Sequence, residues 1–328
     1  MQFYALINSN MDNRLQLPSE NPVCIIINNT CNLTCNACGT LQNYNFAGVM
    51  SWKEEKHLYE EWAKKANFPE IDILGGEPYL NPELLDWALG IKSLWPDSQV
   101  NVVTNGTLLG LKKNVEATRT FLEAGVCLNL SGHAKKDIPK FKMFIDKILE
   151  PFGDRAERIN PDYDDPYGFQ HLDMWQIDGK YAIGHTIVDK MFPNYVKEVK
   201  DNTIILDDGD REKSHDACLY GQHCHTLQRG KLFKCPLVLN YDELKTQTYY
   251  EERAYPLLED YKPLTVDQDK ETMQDFFNNI GKSIPACSLC AMHKKPKPKE
   301  LSVDVQFDKC RKKAFKGVDL VKVKNLTS

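Results

Sequence analysis

Several features that define special classes of protein are scarce or missing in this sequence. Its 11 cysteines among 328 residues amount to about 3 %, far below the content of a disulfide-stapled scaffold. No stretch approaches the roughly 18 consecutive apolar residues that a membrane helix needs. Residues 1–21 lack a basic patch followed by an apolar core, which is the pattern of a signal peptide. We therefore expect a cytoplasmic protein, whose cysteines serve metal binding, redox chemistry or plain burial.

The charge balance argues against a protein that coats nucleic acid, because the formal net charge is −5. Lysine and arginine are nevertheless concentrated in one segment, 294–324. Runs of this kind are usually solvated tails, and we favour that interpretation. Binding of an acidic substrate or leader peptide is the alternative.

Residues 1–150 alternate short apolar runs with longer amphipathic segments. The predicted strands are 23–27, 71–74, 100–103 and 126–130, and the predicted helices are 51–68, 81–95, 108–124 and 138–149. Ser51 and Asn81 are the predicted N-caps of the first two helices. Strands that alternate with helices in this way indicate βαβ units and a parallel sheet. The chemistry of such sheets lies beyond the carboxyl ends of the strands.

A first group of cysteines follows the first predicted strand directly. Cys31, Cys35 and Cys38 are separated by three and two residues, so one loop can wrap three thiolates around a metal centre. With only three local ligands, a four-iron cluster would keep one iron free of protein and open to another molecule. A zinc ion held with a distant His and three unrelated buried thiols are the alternatives. Cys24 and Cys127 lie inside predicted strands, where we expect small buried side chains.

The C-x3-C-x2-C loop after a strand resembles the signature of the radical S-adenosylmethionine (SAM) superfamily. Three further segments at strand ends support the resemblance: Gly75-Gly76-Glu77-Pro78 is similar to the GGEP motif, Thr104-Asn105-Gly106-Thr107 is similar to the TNG segment, and Ser131-Gly132-His133 ends the fourth strand. The resemblance implies an α/β fold with a partial (β/α)6 TIM-like barrel. It also implies that the three cysteines hold a [4Fe–4S] cluster whose open iron is chelated by SAM.

The same resemblance assigns a SAM pocket to these strand ends, formed by Gly75, Gly76, Glu77, Pro78, Thr104, Asn105 and Ser131. The glycines let backbone groups approach the methionine moiety, and Glu77 receives its ammonium group. One position departs from the family pattern, because Ala37 stands where relatives often have an aromatic residue near the adenine.

The C-terminal region contains a second group of cysteines, namely Cys218, Cys224, Cys235, Cys287, Cys290 and Cys310. Cys218, followed by eleven residues, Gly230, four residues and Cys235, is similar to the opening of the SPASM and twitch extensions of radical SAM enzymes. Gly230 is then expected in a hairpin turn between two cysteine-bearing strands. A single C-x2-C pair follows, and this count favours the shorter twitch form with one auxiliary [4Fe–4S] cluster.

The favoured ligands of that auxiliary cluster are Cys218, Cys235, Cys287 and Cys290. Cys224 either replaces Cys218 or is a fifth thiol, and zinc is the alternative metal. Together these patterns predict an N-terminal segment 1–20, a radical SAM core 21–210 with an irregular insert at about 151–210, an auxiliary iron–sulfur domain 211–292 and a basic tail 293–328.

The resemblance implies an enzyme, a radical SAM oxidoreductase or maturase. In this family a low-potential donor of the flavodoxin or ferredoxin type reduces the first cluster, and SAM is cleaved to methionine and a 5′-deoxyadenosyl radical that abstracts hydrogen. A peptide or protein is the first expected substrate. The second is a small molecule, such as an aminosugar or an alcohol, that is oxidised or epimerised. Residues 162–167 with His171 and Trp175 are the candidates to line its pocket, while a polar surface loop is the favoured interpretation of this segment. A non-catalytic metal-binding interaction protein is the alternative of another class.

Overall fold

The computed structural model describes residues 13–17, 22–35, 38–40, 48–132, 137–160, 170–188, 190–191, 196–200, 203–218, 225–244, 249–294, 299–300 and 303–304. Several predicted features lie outside these residues: Ala37, His133, Cys224, Cys310, the segment 162–167 and most of the basic tail.

The strands are β1 Leu15–Gln16, β2 Val23–Ile26, β3 Thr34–Cys35, β4 Ala66–Asn67, β5 Glu70–Leu74, β6 Gln99–Thr104, β7 Cys127–Gly132, β8 Ala156–Ile159, β9 Gln170–Ile177, β10 Lys180–Ile187, β11 Lys190–Met191, β12 Val196–Lys200, β13 Thr203–Leu206, β14 His225–Gln228, β15 Lys231–Phe233, β16 Tyr249–Tyr250, β17 Leu264–Thr265, β18 Lys299–Glu300 and β19 Val303–Asp304. The α-helices are α1 Trp52–Lys65, α2 Leu84–Leu94, α3 Lys112–Glu123, α4 Ile138–Leu149, α5 Arg211–Asp216, α6 Pro236–Leu244, α7 Tyr255–Glu259 and α8 Lys270–Asn279. Within the described residues, none of these helices combines the length and the apolar character needed to cross a bilayer.

One large sheet dominates the architecture, with the strand order β17-β15-β14-β2-β5-β6-β7-β10-β9-β8. Its central strands, from β14 through β10 in this order, are all parallel. Antiparallel strands β15 and β17 extend one edge, and β9 and β8 extend the other. The predicted parallel α/β sheet is confirmed, whereas its closure toward a barrel stays a prediction.

A helix begins close to its predicted first residue where a neighbouring side chain caps it. Ser51 is the N-cap of α1, as predicted, because its side chain accepts a hydrogen bond from the Glu54 backbone N–H at 3.4 Å. The predicted role of Asn81 is met only in part. Its Oδ1 accepts a hydrogen bond from the Glu83 backbone N–H at 2.8 Å, as a capping side chain does, but helix α2 begins at Leu84 with Glu83 as N-cap. The Asn81 amide also donates to the carbonyl oxygens of Ile27 and Met50, so this side chain ties two loops to the start of the helix.

Helix α3 also begins later than predicted, at Lys112 instead of residue 108. The residues before it form a turn in which Asn105 Oδ1 accepts hydrogen bonds from the backbone N–H and the hydroxyl of Thr107. A polar side chain that satisfies nearby backbone groups competes with helix formation, which explains the difference.

Three buried tryptophans anchor the helices to the sheet. The indole N–H groups of Trp62, Trp87 and Trp95 donate to backbone oxygens of Gly230, Met50 and Ala66, at 2.9, 3.2 and 3.0 Å. A buried indole combines a large apolar surface with one donor that needs a partner. Each of these rings therefore fixes a helix against a specific loop or turn.

The C-terminal cysteine region is joined to the same sheet through β14. This strand pairs in parallel with β2, and its Gln228 side chain donates to the Asn29 side chain at 3.1 Å. Gly230 lies in the hairpin turn between β14 and β15, as predicted. The expectation that both flanking strands carry cysteines is wrong, because Cys218 follows α5, whereas Cys235 follows β15. The sheet thus runs across the boundary predicted near residue 210, and the domain limits stay a prediction.

We expect Gly230→Ala to destabilise the protein more than Gly179→Ala. Both glycines occupy left-handed conformations in hairpin turns, with φ of +71° and +74°, and a side chain there costs about 1 kcal/mol. A Cβ at Gly230 would also press on Leu58 at 3.1 Å, whereas at Gly179 nothing lies within 4 Å. Thermal unfolding of the two variants checks this. Equal midpoints would show that Leu58 does not restrict the turn.

The sheet face that does not hold the apolar core carries polar residues. Asn101 donates from its amide to Glu70 Oε1 at 2.9 Å and to Asp72 Oδ1 at 2.8 Å. Burial, together with repulsion from Glu70, raises the pKa of Asp72 to about 7. The carboxyl group thus holds its proton in the folded protein at pH values where it is ionised in the unfolded chain.

This shift predicts a pH-dependent effect of Asp72→Asn. Because the pKa of Asp72 is higher in the folded protein than in the unfolded chain, its contribution to the free energy of unfolding is fully present below about pH 4. That contribution is lost as the pH rises through about 7. We therefore expect the variant to gain up to about 4 kcal/mol relative to the wild type at about pH 8.5, and little at about pH 4. Thermal midpoints at both pH values, with Asp86→Asn on the exposed face of α2 as control, measure the difference. A gain independent of pH would contradict the prediction.

Candidate functional site

The polar motifs singled out in the sequence meet at one edge of the sheet. Strands β2, β5, β6 and β7 are adjacent and parallel, so the segments that follow them emerge side by side. These segments contain the cysteine loop, Gly75–Pro78, Thr104–Asn105 and Ser131. The tertiary structure therefore brings the residues predicted to form a SAM pocket to the same edge of the sheet.

Asn28 holds the cysteine loop against the turn after β5. It is fully buried, and its side-chain amide donates to the Glu77 carbonyl oxygen at 2.7 Å. Its Oδ1 accepts hydrogen bonds from the backbone N–H groups of Thr30 and Gly76. The Asn28 side chain thus pairs with backbone polar groups of both loops. Its place directly after a buried strand is the sequence signal that could have identified it.

Gly76 is required by this close approach. A Cβ atom at this position would clash with the backbone carbonyl of Thr30. The Glu77 backbone N–H donates to that same Thr30 oxygen at 2.8 Å. Only a residue without a side chain lets the turn after β5 lie directly on the chain that leads into Cys31.

Cys31, Cys35 and Cys38 are half-buried in the loop after β2. The Sγ atom of Cys31 accepts from the Leu33 backbone N–H at 3.4 Å and lies 3.9 Å from the Asn105 amide nitrogen. Burial and the neighbouring Cys38 thiol raise the pKa of Cys35 to about 12, and burial with Glu77 raises that of Cys31 even more. Thiols held neutral in this way lose their protons when a metal centre binds them, and three of them in one loop are a donor set that fits an iron–sulfur cluster or another thiophilic metal.

Glu77 is a fully buried carboxylate at the centre of the site. Its oxygens accept from the Thr104 hydroxyl at 2.6 Å and from the backbone N–H groups of Asn105 and Tyr79 at 2.9 and 3.2 Å. Burial raises its pKa to about 7, while these hydrogen bonds oppose the shift. A carboxylate fixed in this way is suited to receive an ammonium group.

Thr104 and Asn105 orient the site as well as line it. The Thr104 hydroxyl is used by Glu77, while the Asn105 amide donates to Asn32 Oδ1 at 2.9 Å. Asn32 in turn donates to Thr107 Oγ1 at 2.7 Å. The end of β6 is thereby linked to the cysteine loop, and the contribution of Asn32 was not predicted from the sequence.

The two residues predicted to line a small-molecule pocket are differently placed. His171 Nδ1 lies 3.0 Å from Thr186 Oγ1, and Thr186 pairs in register with Ser131. Trp175 instead lines a cavity of about 210 Å³ together with Ile145 of α4. His171 on β9 is therefore separated from Ser131 of the predicted SAM pocket by one intervening strand, β10. Trp175 instead lies beside helix α4.

We expect Glu77→Gln to weaken SAM binding about 10- to 100-fold. In the wild type the Glu77 carboxylate accepts hydrogen bonds from Thr104, Asn105 and Tyr79, and the glutamine N–H₂ group cannot accept them. Glutamine also lacks the negative charge that attracts an ammonium group. Equilibrium binding of SAM to the anaerobic protein measures the loss. Glu83→Gln is the matched control, because the Glu83 carboxylate lies outside the site and accepts hydrogen bonds from the Ser51 hydroxyl and the Lys53 backbone N–H. Equal affinities for Glu77→Gln and the wild type would contradict the assignment.

The second group of cysteines converges from three segments. Cys218 follows α5, Cys235 lies between β15 and α6, and Cys287 and Cys290 flank the end of the 3₁₀ helix Pro285–Leu289. The Cys290 carbonyl oxygen accepts a hydrogen bond from the Ser214 hydroxyl at 3.2 Å, which joins this segment to α5. Within the segment, the Cys290 backbone N–H donates to the Cys287 carbonyl oxygen.

These four thiols lie within electrostatic range of one another. Burial raises the pKa of Cys235 to about 12, with contributions from Cys287 and Cys218, and burial together with the other three thiols raises that of Cys290 strongly. Such a set fits a thiolate-bound metal centre for the same reason as the first group. No three His, Cys, Asp or Glu side chains in the described part of the chain are arranged to hold a single metal ion as they stand.

Residues 25–159 match the family model of the radical SAM superfamily. Comparison with the curated proteins gives no match. Among solved structures, the chain is similar to BtrN in complex with AdoMet and 2-DOIA, at a TM-score of 0.42 and 13 % identity over 83 % of this chain and 92 % of that one. It is also similar to Streptococcus suis SuiB bound to S-adenosylmethionine, at a TM-score of 0.35 and 12 % identity over 81 % and 67 % of the two chains. The matched segment contains the three cysteines and the Gly75–Pro78 turn, so the chain is similar to the radical SAM superfamily over residues 25–159.

Proposed function

We propose that the protein is a radical SAM enzyme, an oxidoreductase or maturase that abstracts hydrogen from its substrate. The observation that carries the proposal is the meeting of the cysteine loop with the buried Glu77 at the carboxyl ends of parallel strands. Cys31, Cys35 and Cys38 would hold a [4Fe–4S] cluster. When bound, this cluster and SAM supply one-electron cleavage of SAM to methionine and a 5′-deoxyadenosyl radical, which takes a hydrogen atom from the substrate.

The chain's own residues would bind and orient SAM. Glu77 would accept the methionine ammonium, with Thr104 and the Asn105 backbone holding the carboxylate in place. Gly75, Gly76 and Pro78 would shape the backbone against the methionine moiety, and Ser131 lies at the end of β7 where the rest of SAM would extend. Asn28 keeps the cysteine loop and this turn in one position, which suits a reaction that needs precise orientation.

The direct experiment is SAM cleavage by the anaerobically reconstituted protein. With a low-potential reductant, of the flavodoxin or ferredoxin type or dithionite, we expect equal amounts of methionine and 5′-deoxyadenosine. Mass spectrometry after separation detects both products. Protein that holds iron yet releases neither product would refute the enzyme assignment and would favour a non-catalytic metal-binding protein.

We propose that Cys218, Cys235, Cys287 and Cys290 hold an auxiliary [4Fe–4S] cluster of the twitch type. The mutual electrostatic contact of these four thiols supports this assignment, whereas Cys224 lies outside the described residues. With all four positions ligated by protein, such a cluster would take up or relay an electron rather than bind substrate.

A peptide or protein is the first proposed substrate. Strand β19 of the C-terminal segment pairs with β3, so that Val303 faces Cys35 in register. Two residues of the lysine-rich segment 294–324 therefore lie beside the cysteine loop, and the lysines of this segment would attract an acidic peptide.

A small polar molecule is the second candidate, and a different observation favours it. The apolar residues of β5 to β7 lie in the helix-packed core, while alternate positions hold the partly exposed side chains of Asp72, Asn129 and Ser131. Hydrogen-bonding side chains along one face suit an aminosugar or an alcohol. The protein fraction and the small-molecule fraction of a host extract, each added to the cleavage assay, distinguish the two. The fraction that raises 5′-deoxyadenosine release contains the substrate.

A further inference from the structure

A cavity of about 210 Å³ lies between helix α4 and the edge strands β8 and β9. It is lined by Lys142, Ile145, Asp146, Arg158, Asp173 and Trp175. Cavities that bind drug-sized molecules begin at about 300 Å³, so the size of this one suits a smaller ligand.

The cavity lies on the face of the sheet opposite the predicted SAM pocket. His185 of β10 pairs in register with Leu130, whose side chain belongs to the apolar core, and the next pair is Thr186 with Ser131. Asp173 of β9 stands opposite His185 in register. Because successive side chains of a strand alternate between the two faces, Asp173 lies on the core face and Ser131 on the other. A molecule bound beside Asp173 would therefore occupy a site separate from that of SAM.

Asp173 is the buried carboxylate of this cavity, with 4 % of its surface exposed. Its Oδ1 accepts a hydrogen bond from the Arg158 guanidinium group. Among the residues that the structure describes, no group donates a hydrogen bond to its Oδ2. Lys142 Nζ and His185 Nδ1 each lie 3.8 Å from this oxygen, which is beyond hydrogen-bonding distance. A buried carboxylate oxygen without a donor is costly, so Oδ2 is positioned to accept a hydrogen bond from a bound molecule.

The charges around the cavity favour a neutral donor. Lys142 and Arg158 balance Asp146 and Asp173, so that two cations and two carboxylates line the same space. The two cations would repel an ammonium group, and the two carboxylates would repel an anion. A hydroxyl group can donate to Asp173 Oδ2 and accept from the Lys142 ammonium at the same time.

We propose that this cavity binds a small, neutral, polyhydroxylated molecule of the polyol or monosaccharide class. One hydroxyl donates to Asp173 Oδ2, and the C–H face of the molecule packs against Ile145 and the partly buried ring of Trp175. Such pockets combine an apolar wall with a few polar groups that fix the orientation of the ligand. The inference stands apart from the proposed radical chemistry, since binding at this face requires neither SAM nor a cluster.

A set of variants separates the hydrogen bond from the apolar wall. Asp173→Asn keeps an acceptor for Arg158 but places an N–H₂ donor where the ligand needs an acceptor. Trp175→Leu removes the ring, whereas Trp175→Phe keeps an aromatic wall. Asp178→Asn is the matched control, because Asp178 also pairs with an arginine, Arg155, at 2.8 Å but lies exposed in the turn between β9 and β10.

The measurement is a saturation-transfer NMR titration of the full chain with glycerol, myo-inositol and D-glucose as separate probes. We expect at least one of these probes to bind. Its affinity should fall about tenfold or more in Asp173→Asn and Trp175→Leu, which corresponds to the loss of one hydrogen bond to a charged group or of one ring contact. Trp175→Phe and Asp178→Asn should bind it as the parent does.

Three results would overturn the inference. The first is the absence of saturation transfer to all three probes, and the second is parent-like affinity in both Asp173→Asn and Trp175→Leu. The third is tighter binding of D-gluconate or D-glucosamine than of D-glucose, because these analogues carry a charge that the cavity should reject. Thermal midpoints show which variants are folded. If Asp173→Asn unfolds, the comparison of Trp175→Leu with Trp175→Phe decides.

Discussion

Cys35→Ala should reduce SAM cleavage to the level of a protein-free control and remove about half of the bound iron. Two four-iron clusters would contain about eight iron atoms per chain, so about four should remain. Cys35 is the best position for this test because its neighbour Cys31 also accepts a backbone hydrogen bond from Leu33, and replacing Cys31 would disturb the loop. Iron analysis and 5′-deoxyadenosine release are measured on the same preparation.

Cys127→Ala is the matched control for this experiment. Cys127 is buried within β7, where its thiol donates to the Tyr181 carbonyl oxygen at 3.2 Å. We expect full iron content and full SAM cleavage, with a stability loss of about 1 kcal/mol from the removed sulfur. If Cys35→Ala kept its iron and its activity, the three cysteines would not be the cluster ligands.

Cys235→Ala should remove the other half of the iron while SAM is still cleaved. The auxiliary site is built from segments that follow α5, β15 and the 3₁₀ helix Pro285–Leu289, so loss of one ligand should also loosen their packing. We expect uncoupled SAM cleavage to persist and conversion of the substrate to stop. Elemental analysis also decides the metal, because a zinc site would contribute one zinc ion per chain and no sulfide.

Two further variants make this second result specific. Cys24→Ala removes a cysteine from β2 and should leave both iron and activity unchanged. Cys224→Ala should retain full iron if Cys218 is the ligand, whereas loss of iron in Cys224→Ala would transfer the role to that residue. Unchanged iron in Cys235→Ala would refute the proposed ligand set.

The local features of this protein follow from short stretches of sequence. Ser51 caps α1 because its side chain reaches a backbone N–H three residues ahead, which is a property of adjacent residues. Helix α4 has the predicted bounds because its buried apolar residues recur at helical spacing and Pro139 stands in its first turn. The contacts of the Asn81 amide are not local, since it donates to the carbonyl oxygens of Ile27 and Met50, which lie far away along the chain.

By itself the sequence determined the α/β pattern, the cysteine spacings and the motifs that follow each strand, because periodicity and spacing are local properties. Only the tertiary structure decided which distant groups meet. It placed β14 beside β2, joined the Gly75–Pro78 turn to the cysteine loop through Asn28, and tied Cys290 to Ser214 of α5. No period or spacing encodes such contacts, since they arise when the whole chain buries its apolar surface and satisfies its polar groups.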